Sequence, residues 1–241
     1  MIENQERIGR FTSSEIYKLI GSGRGKEDYF SATGLTYIEE KNIERKLGKS
    51  IGKDPYSQDM AWGTFMEFVV FNILGTEYKI CSKKTVAHPK YGKFWSGSSD
   101  MTDRQETLIS EIKCYQLKNF SLYTDCLLKQ DVELLKKDFP KEYWQIVSNA
   151  EIHQVPFGEA VSYAPFESEM NEIRSWAENH DGDDQWKYRF IVEKSNAFLA
   201  CIKDGGYYNN INKFRFEVPK EDKEFLIDRV LTASTLLVKV K

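Results

Sequence analysis

The chain of 241 residues is poor in histidine, cysteine and proline, with three, four and six of each. Cys81, Cys114, Cys126 and Cys201 are scattered, with no C-x-x-C pair and no histidine at zinc spacing. That excludes a zinc ribbon or finger and leaves reduced, mostly buried thiols of a cytosolic protein as the expectation. No stretch reaches the roughly 18 consecutive apolar residues of a membrane span, so no membrane partner is expected. The segment Met1 to Arg7 is too polar for a signal peptide, and a cytoplasmic location is the expectation. Excess positive charge is missing too: the formal net charge is -3. The balance does not announce a nucleic-acid binder, and any basic surface must be local, concentrated by folding or assembly. There is no internal repeat and no low-complexity segment. The acidic run His180-Asp181-Gly182-Asp183-Asp184 lacks EF-hand spacing and reads as an acidic loop. What is present is 41% hydrophobic and 14% aromatic content, enough for a sizeable core. One α/β domain over residues 1–241 is the economical reading.

The most informative stretch runs from Phe94 to Cys114. Two β-forming runs, Phe94 to Asp100 and Leu108 to Cys114, flank the polar Thr102 to Glu106 and read as a hairpin. Alternate residues of a strand share a face, so Glu111 and Lys113 point together while Leu108, Ser110 and Ile112 point the other way. Asp100, near the end of the neighbouring strand, reaches the same face. Two carboxylates are hard oxygen ligands for Mg²⁺ or Mn²⁺, and an adjacent ammonium can orient or help deprotonate a water. An isolated E-x-K is ordinarily surface charge; the surrounding chain argues otherwise.

In order along the chain, Thr12-Ser13-Ser14-Glu15 has capping-box spacing and predicts a short first helix from near Ser13 to the Gly21-Ser22-Gly23 stop. Arg7 and Arg10 precede it; Arg24 and Lys26 follow. A helix start flanked by arginines and hydroxyls can receive a phosphate, or the hydroxyls can be a plain cap. Leu35 to Leu47 forms a second helix ending at Gly48, and Gln58 to about Leu74 a third. The third carries Glu67 among apolar or small neighbours, with Gly63 one turn earlier. A carboxylate there needs a cationic partner or a metal. Thr76 to His88 reads as a strand, with His88 on a surface proline turn. Tyr115 to Lys137 reads as helical or as loop and helix, Phe139-Pro140 interrupts it, and a further helix from Lys141 to Glu151 carries Gln145 among apolar residues. Its amide needs partners, and it either caps a strand backbone or holds a lysine or a water. Ala160 to Phe166 and Phe214 to Pro219 read as strands, Glu167 to Glu178 and Lys220 to Val238 as helices, and Trp186 to Phe198 as either.

Five pieces in this order, Arg7-x-Gly9-x-x-Thr12-x-Ser14, Gly63-x-x-x-Glu67, Ser98-x-Asp100, Glu111-x-Lys113 and Tyr143-Trp144-Gln145, resemble the lambda exonuclease and phage alkaline exonuclease branch of the PD-(D/E)XK nucleases. The resemblance covers roughly residues 5 to 165, leaving 166–241 as a C-terminal extension. It implies an α/β (α+β) fold with a restriction-endonuclease-like core, a central mixed sheet flanked by helices. It also implies a metal-dependent exonuclease that digests one strand of linear duplex DNA in the 5′ to 3′ direction, giving 3′ single-stranded tails for single-strand-annealing recombination.

On that resemblance Asp100, Glu111 and the main-chain carbonyl of Ile112 hold the catalytic Mg²⁺ (or Mn²⁺), and Asp100 bridges to a second ion. Glu67 holds metal-bound water, Lys113 positions or activates the attacking water, and Gln145 orients that water or the lysine. Arg7, Ser14 and Ser98 grip the terminal 5′-phosphate, with Arg24 and Lys26 as further DNA contacts. The implied partners are double-stranded DNA ends, two further copies in a homotrimeric ring and a single-strand annealing protein, in the host cytoplasm if the gene is a phage's. The pattern departs from the family at Ser99, where relatives often have proline, at Met101, where many have glycine, and at Val147, where a second glutamine is frequent. The same core fits two other functions, a site-specific endonuclease and a non-catalytic DNA-end-binding protein. The cysteine spacing supplies no iron–sulfur site.

Overall fold

The computed structural model describes residues 6–25, 28–52, 56–81 and 84–239; Lys26 lies outside them. Among the described residues the chain runs through β1 (Phe11–Thr12), a 3-10 turn (Ser13–Leu19), α1 (Ala32–Leu47), α2 (Gln58–Leu74), β2 (Tyr78–Ile80), β3 (Val86–Ala87) and β4 (Trp95–Gly97). It continues with β5 (Met101–Asp103), β6 (Leu108–Lys113), α3 (Leu117–Leu128), α4 (Val132–Asp138), α5 (Pro140–His153) and β7 (Phe157–Tyr163). Then come α6 (Met170–Glu178), α7 (Arg189–Glu193), β8 (Ile211–Glu217) and α8 (Lys220–Thr235).

Five strands form one mixed sheet in the order β2-β5-β6-β7-β8. Only β6 and β7 run parallel, with Glu111 opposite Ala160 and Lys113 opposite Ser162. This pairing takes the crossover that α3, α4 and α5 provide, because parallel neighbours cannot be joined by a tight turn. The alternation of β6 sorts its side chains to two cores. Leu108 and Ile112 join Trp62, Phe65 and Met66 of α2 on one face, while Ile109 joins Tyr143, Ile146 and Val147 of α5 on the other. Glu111 and Lys113 fall on the α5 face. The C-terminal residues are part of this packing: β8 pairs with β7 along its whole length. Arg229 of α8 is 3% exposed and donates to the carbonyls of Leu19 (2.7 Å) and Gly21 (2.8 Å), closing the end of the first turn. No helix among the described residues is long and apolar enough to cross a membrane.

A second, three-stranded sheet, β1-β4-β3, makes the anticipated hairpin a different object. The run from Phe94 to Met101 is two strands in two sheets: β4 lies parallel to β1, with Thr12 opposite Ser96, and β5 pairs with β6, Met101 opposite Ser110. Ser98, Ser99 and Asp100 form the link between them. Their polar side chains and the preceding Gly97 let the backbone leave one ladder and enter another, which a continuous apolar strand would resist. Thr76 to His88 divides in the same way into β2 and β3. The hairpin loop is Arg104 to Thr107, because Thr102 and Asp103 are still strand.

The helices α1, α2 and α8 lie within about three residues of where the sequence pattern put them, while β7 and β8 each begin earlier, at Phe157 and Ile211. Ser31 caps α1, accepting from Gly34 N at 3.2 Å, and Gly48 ends it at φ 65°, the left-handed stop that glycine favours. Phe139 and Pro140 separate α4 from α5, and Pro140 is the first residue of α5, where its missing N–H has no partner to lose. Residues 185–198 are helical turns rather than strand. His88 is buried, not on the surface: its Nδ1 accepts from Lys90 N and Tyr91 N, and its ring stacks on Trp95 at 4.6 Å.

Candidate active site

Gly9 begins the site's geometry. At φ 64° a side chain is strained, and a Cβ would run into Arg45 Cγ. In the space that glycine leaves, Arg45 Nε donates to Gly9 O at 2.7 Å and Nη2 to Lys93 O at 2.9 Å, tying the entry to β1 against the entry to β4. The parallel pairing of the two strands then brings residues 12–14 beside residues 96–98. Thr12 precedes the first turn in an extended conformation, but its side chain makes no cap hydrogen bond. Its N–H goes to Tyr37 Oη at 2.9 Å and its hydroxyl lies 3.4 Å from Ser14 Oγ. Capping therefore does not account for these hydroxyls, and the anticipated α-helix is a 3-10 turn. Arg7 Nη2 donates to Ser14 Oγ at 3.2 Å.

Arg7, Thr12, Ser14 and Ser98, together with Asp100 and Gln145, line one cleft of about 180 Å³. Arginine and hydroxyl donors sharing so small a space with a carboxylate and an amide suit a phosphate group held beside a reaction centre. Arg24 does not line it; this residue is exposed on the turn after Gly23.

Asp100, Glu111, Lys113 and Gln145 come together at the junction of β5, β6 and α5. Asp100 Oδ2 accepts from Ile112 N at 2.7 Å. A strand residue's N–H and C=O lie on the same edge, so the Ile112 carbonyl also faces Asp100, beyond the last β5–β6 pair at Met101 and Ser110. Glu111 has no solvent exposure. Gln145 Nε2 donates to its Oε2 at 2.7 Å, and Asn149 Nδ2 donates to its Oε1. Lys113 Nζ stands 3.8 Å from Glu111 Oε2 and donates to Gln145 Oε1 at 3.2 Å. Gln145 thus bridges the carboxylate and the ammonium with the two ends of one amide.

Burial, then the charge of Asp100, pushes the Glu111 carboxyl well above its ordinary range, against the pull of Lys113 and the Asn149 hydrogen bond. Burial likewise raises Asp100, opposed by Lys113 and by the Ile112 N–H. Burial acts to lower the Lys113 ammonium, but Glu111, Asp100 and Glu67 outweigh it and hold it above its usual value. Two carboxyls raised by burial thus face a single ammonium, Lys113. The Cys114 thiol beside it is pushed far up by burial and by Glu67, so it stays protonated and inert.

Glu67 lies half-buried on α2, and its charge is felt by Glu111, Lys113 and Cys114. It does not complete a cluster: among the described residues no three His, Cys, Asp or Glu side chains converge as a preformed metal site. Nor is α2 enclosed on all sides, since Met60 and Phe68 next to this face are exposed. The donor set nevertheless fits a hard divalent cation. Two close carboxylates whose charge one lysine leaves undercompensated, plus a main-chain carbonyl, are the oxygen ligands that Mg²⁺ and Mn²⁺ take.

Sequence reasoning missed Asn149. The available signal was its position one helical turn after Gln145, on the same face of a helix pressed against β6.

No protein-family model matches the chain, and no curated protein matches it. Solved structures do. An alkaline exonuclease (LHK-Exo) from Laribacter hongkongensis superposes with a TM-score of 0.61 at 15% identity, over 95% of this chain and 89% of that one. The same enzyme in complex with dAMP gives 0.60 at 16%, over 96% and 90%. A phage-related exonuclease from Haemophilus somnus 129PT gives 0.60 at 16%, over 94% and 92%. The chain is built on the α/β fold of these exonucleases, a mixed sheet flanked by helices.

Proposed function

We propose that the protein is a metal-dependent exonuclease that hydrolyses phosphodiester bonds of one strand of linear duplex DNA from its 5′ end. The observation that carries this is the continuity of the site. The cleft lined by Arg7, Ser14 and Ser98 runs directly onto Asp100 and Gln145, and Gln145 is bonded to both Glu111 and Lys113. The solved structure holding dAMP supports it, since a relative in fold binds a deoxynucleoside monophosphate.

In this reading Asp100, Glu111 and the Ile112 carbonyl would hold Mg²⁺ or Mn²⁺, Glu67 would hold metal-bound water, and Asp100 would also serve a second ion. When bound, such a pair stabilises charge on the attacking and leaving oxygens of an in-line displacement. The chain's own residues do the rest. Arg7, Ser14 and Ser98 hold the terminal phosphate and so place the first internucleotide bond over the carboxylates. Lys113, held protonated by its carboxylate neighbours, orients the attacking water and offsets charge developing on the phosphoryl oxygens. Gln145 fixes the ammonium relative to Glu111. The role in recombination, an annealing-protein partner, a trimeric ring that concentrates basic groups around the duplex, and a host-cytoplasmic location belong to the same proposal and rest on the resemblance.

Asp100→Asn and Glu111→Gln keep side-chain size and remove one charge each. Both variants are expected to fold and to lose on the order of 10²–10³-fold or more in turnover of linear duplex DNA. A metal chelator should abolish wild-type turnover altogether. Undiminished cleavage in the chelator or in both variants would contradict the assignment, and DNA-end binding with no cleavage under any divalent ion would make the protein a binding subunit.

A further inference from the structure

Asn149 is fully buried, and its amide nitrogen serves two acceptors from separate parts of the site. One is Glu111 Oε1; the other is the main-chain carbonyl of Ser98, at 3.1 Å. Gln145 holds the other oxygen of Glu111, so α5 clamps both ends of that carboxylate from two successive turns. The Ser98 bond fixes the link between β4 and β5, the segment that carries both the Ser98 hydroxyl and Asp100. Flipping the amide would set its oxygen against a carboxylate and a carbonyl, so the orientation is determined by the partners.

A cost reveals what the residue is for. Asn149 Oδ1 is buried without a hydrogen-bond partner, and it occupies the space that a Cβ on Gly97 would need. A buried orphan acceptor destabilises, and an apolar side chain there would remove it. Packing therefore does not explain the asparagine; its two N–H bonds do.

We infer that Asn149 is a positioning residue that couples the phosphate cleft to the metal-holding carboxylate, fixing Glu111 and the Ser98 backbone with a single amide. This rests on the nuclease reading above. Its removal loosens the carboxylate's geometry and the placement of Ser98 together, whereas a residue that only stabilised the fold would change neither without unfolding the protein.

The test uses Asn149→Ala and Asn149→Ser with two readouts. The first is Mn²⁺ binding to the DNA-free protein, followed by paramagnetic resonance. The second is the ratio of digestion rates on duplexes with 5′-phosphate and 5′-hydroxyl ends. For Asn149→Ala the expected result is Mn²⁺ affinity weaker by about 10–100-fold, as for other residues that orient metal ligands, and a reduced phosphate preference. Asn149→Ser, which keeps one shorter donor, should fall between it and wild type, and it carries both readouts should the alanine variant not fold. Wild-type Mn²⁺ affinity and phosphate ratio in a folded variant would overturn the coupling and leave the nuclease reading standing. Absence of Mn²⁺ binding and of cleavage in the wild-type protein would overturn both.

Discussion

A carboxylate with no exposure to solvent, such as Glu111, keeps its charge only if its neighbours supply what water would have supplied. Two side-chain amides and one ammonium do so here, and the carboxyl is still pushed upward, which is the condition a cation relieves. Gln145 is the pivot, because it donates to Glu111 and accepts from Lys113. Gln145→Leu has nearly the same volume and removes both bonds, so turnover on linear duplex DNA should fall by about 10–100-fold while circular dichroism stays that of the wild type. Full turnover would show that the bridge is ornamental to the chemistry. At this scale the sequence was readable where a polar residue stood in an apolar run: Glu67 and Gln145 stand out for that reason, and Glu111 and Lys113 from strand alternation. Asn149 was not, since asparagine one turn along a helix has no spacing that separates a positioning amide from a solvated one. Arg24 is exposed and lies outside the cleft lining; charge near a glycine turn says nothing about which way the turn faces.

The elements explain why residues distant in sequence meet. The 3-10 turn is packed on α5, with Ser13 Oγ 2.8 Å from Ser148 Oγ and Trp95 Nε1 2.9 Å from the same hydroxyl. Gly97 is what permits this closeness, because a Cβ would overlap Ser13 Oγ, Asn149 Oδ1 and Ile152 Cδ1. Gly97→Ala should therefore destabilise by about 1–3 kcal/mol, the usual cost of overpacking a filled core, measured as a lowered midpoint in urea unfolding. An unchanged midpoint would mean that β4 and α5 separate easily. The helices α1, α2 and α8 were legible from their apolar residues, and α1 also from its glycine stop at Gly48. The division of residues 94–103 between two sheets was not, because a β-forming run reads the same whether its ladder partner is one strand or two. The pairing of β1 with β4 joins residues more than eighty positions apart, and nothing local in Phe11-Thr12 announces it. His88 was misread for a related reason: a proline turn looks superficial until Trp95 is seen stacked over the ring.

For the whole molecule, the formal charge of -3 means that DNA cannot be held by overall attraction. The cleft is lined by Arg7 and the hydroxyls of Thr12, Ser13, Ser14 and Ser98, which in the proposed function would grip a single terminal phosphate rather than a length of duplex. Under the proposed function, an enzyme organised in this way would act at ends and in one direction. The C-terminal third, which the resemblance leaves as an extension, contributes β8 to the main sheet and, through Arg229, closes the end of the first turn. Digestion of linear duplex DNA in Mg²⁺, labelled at either the 5′ or the 3′ end and carrying or lacking a 5′-phosphate, with closed circular DNA beside it, tests this directly. The account predicts early release of the 5′ label, faster with the phosphate, late release of the 3′ label and intact circles. Cutting of circles, or early release of the 3′ label regardless of the 5′-phosphate, would contradict it.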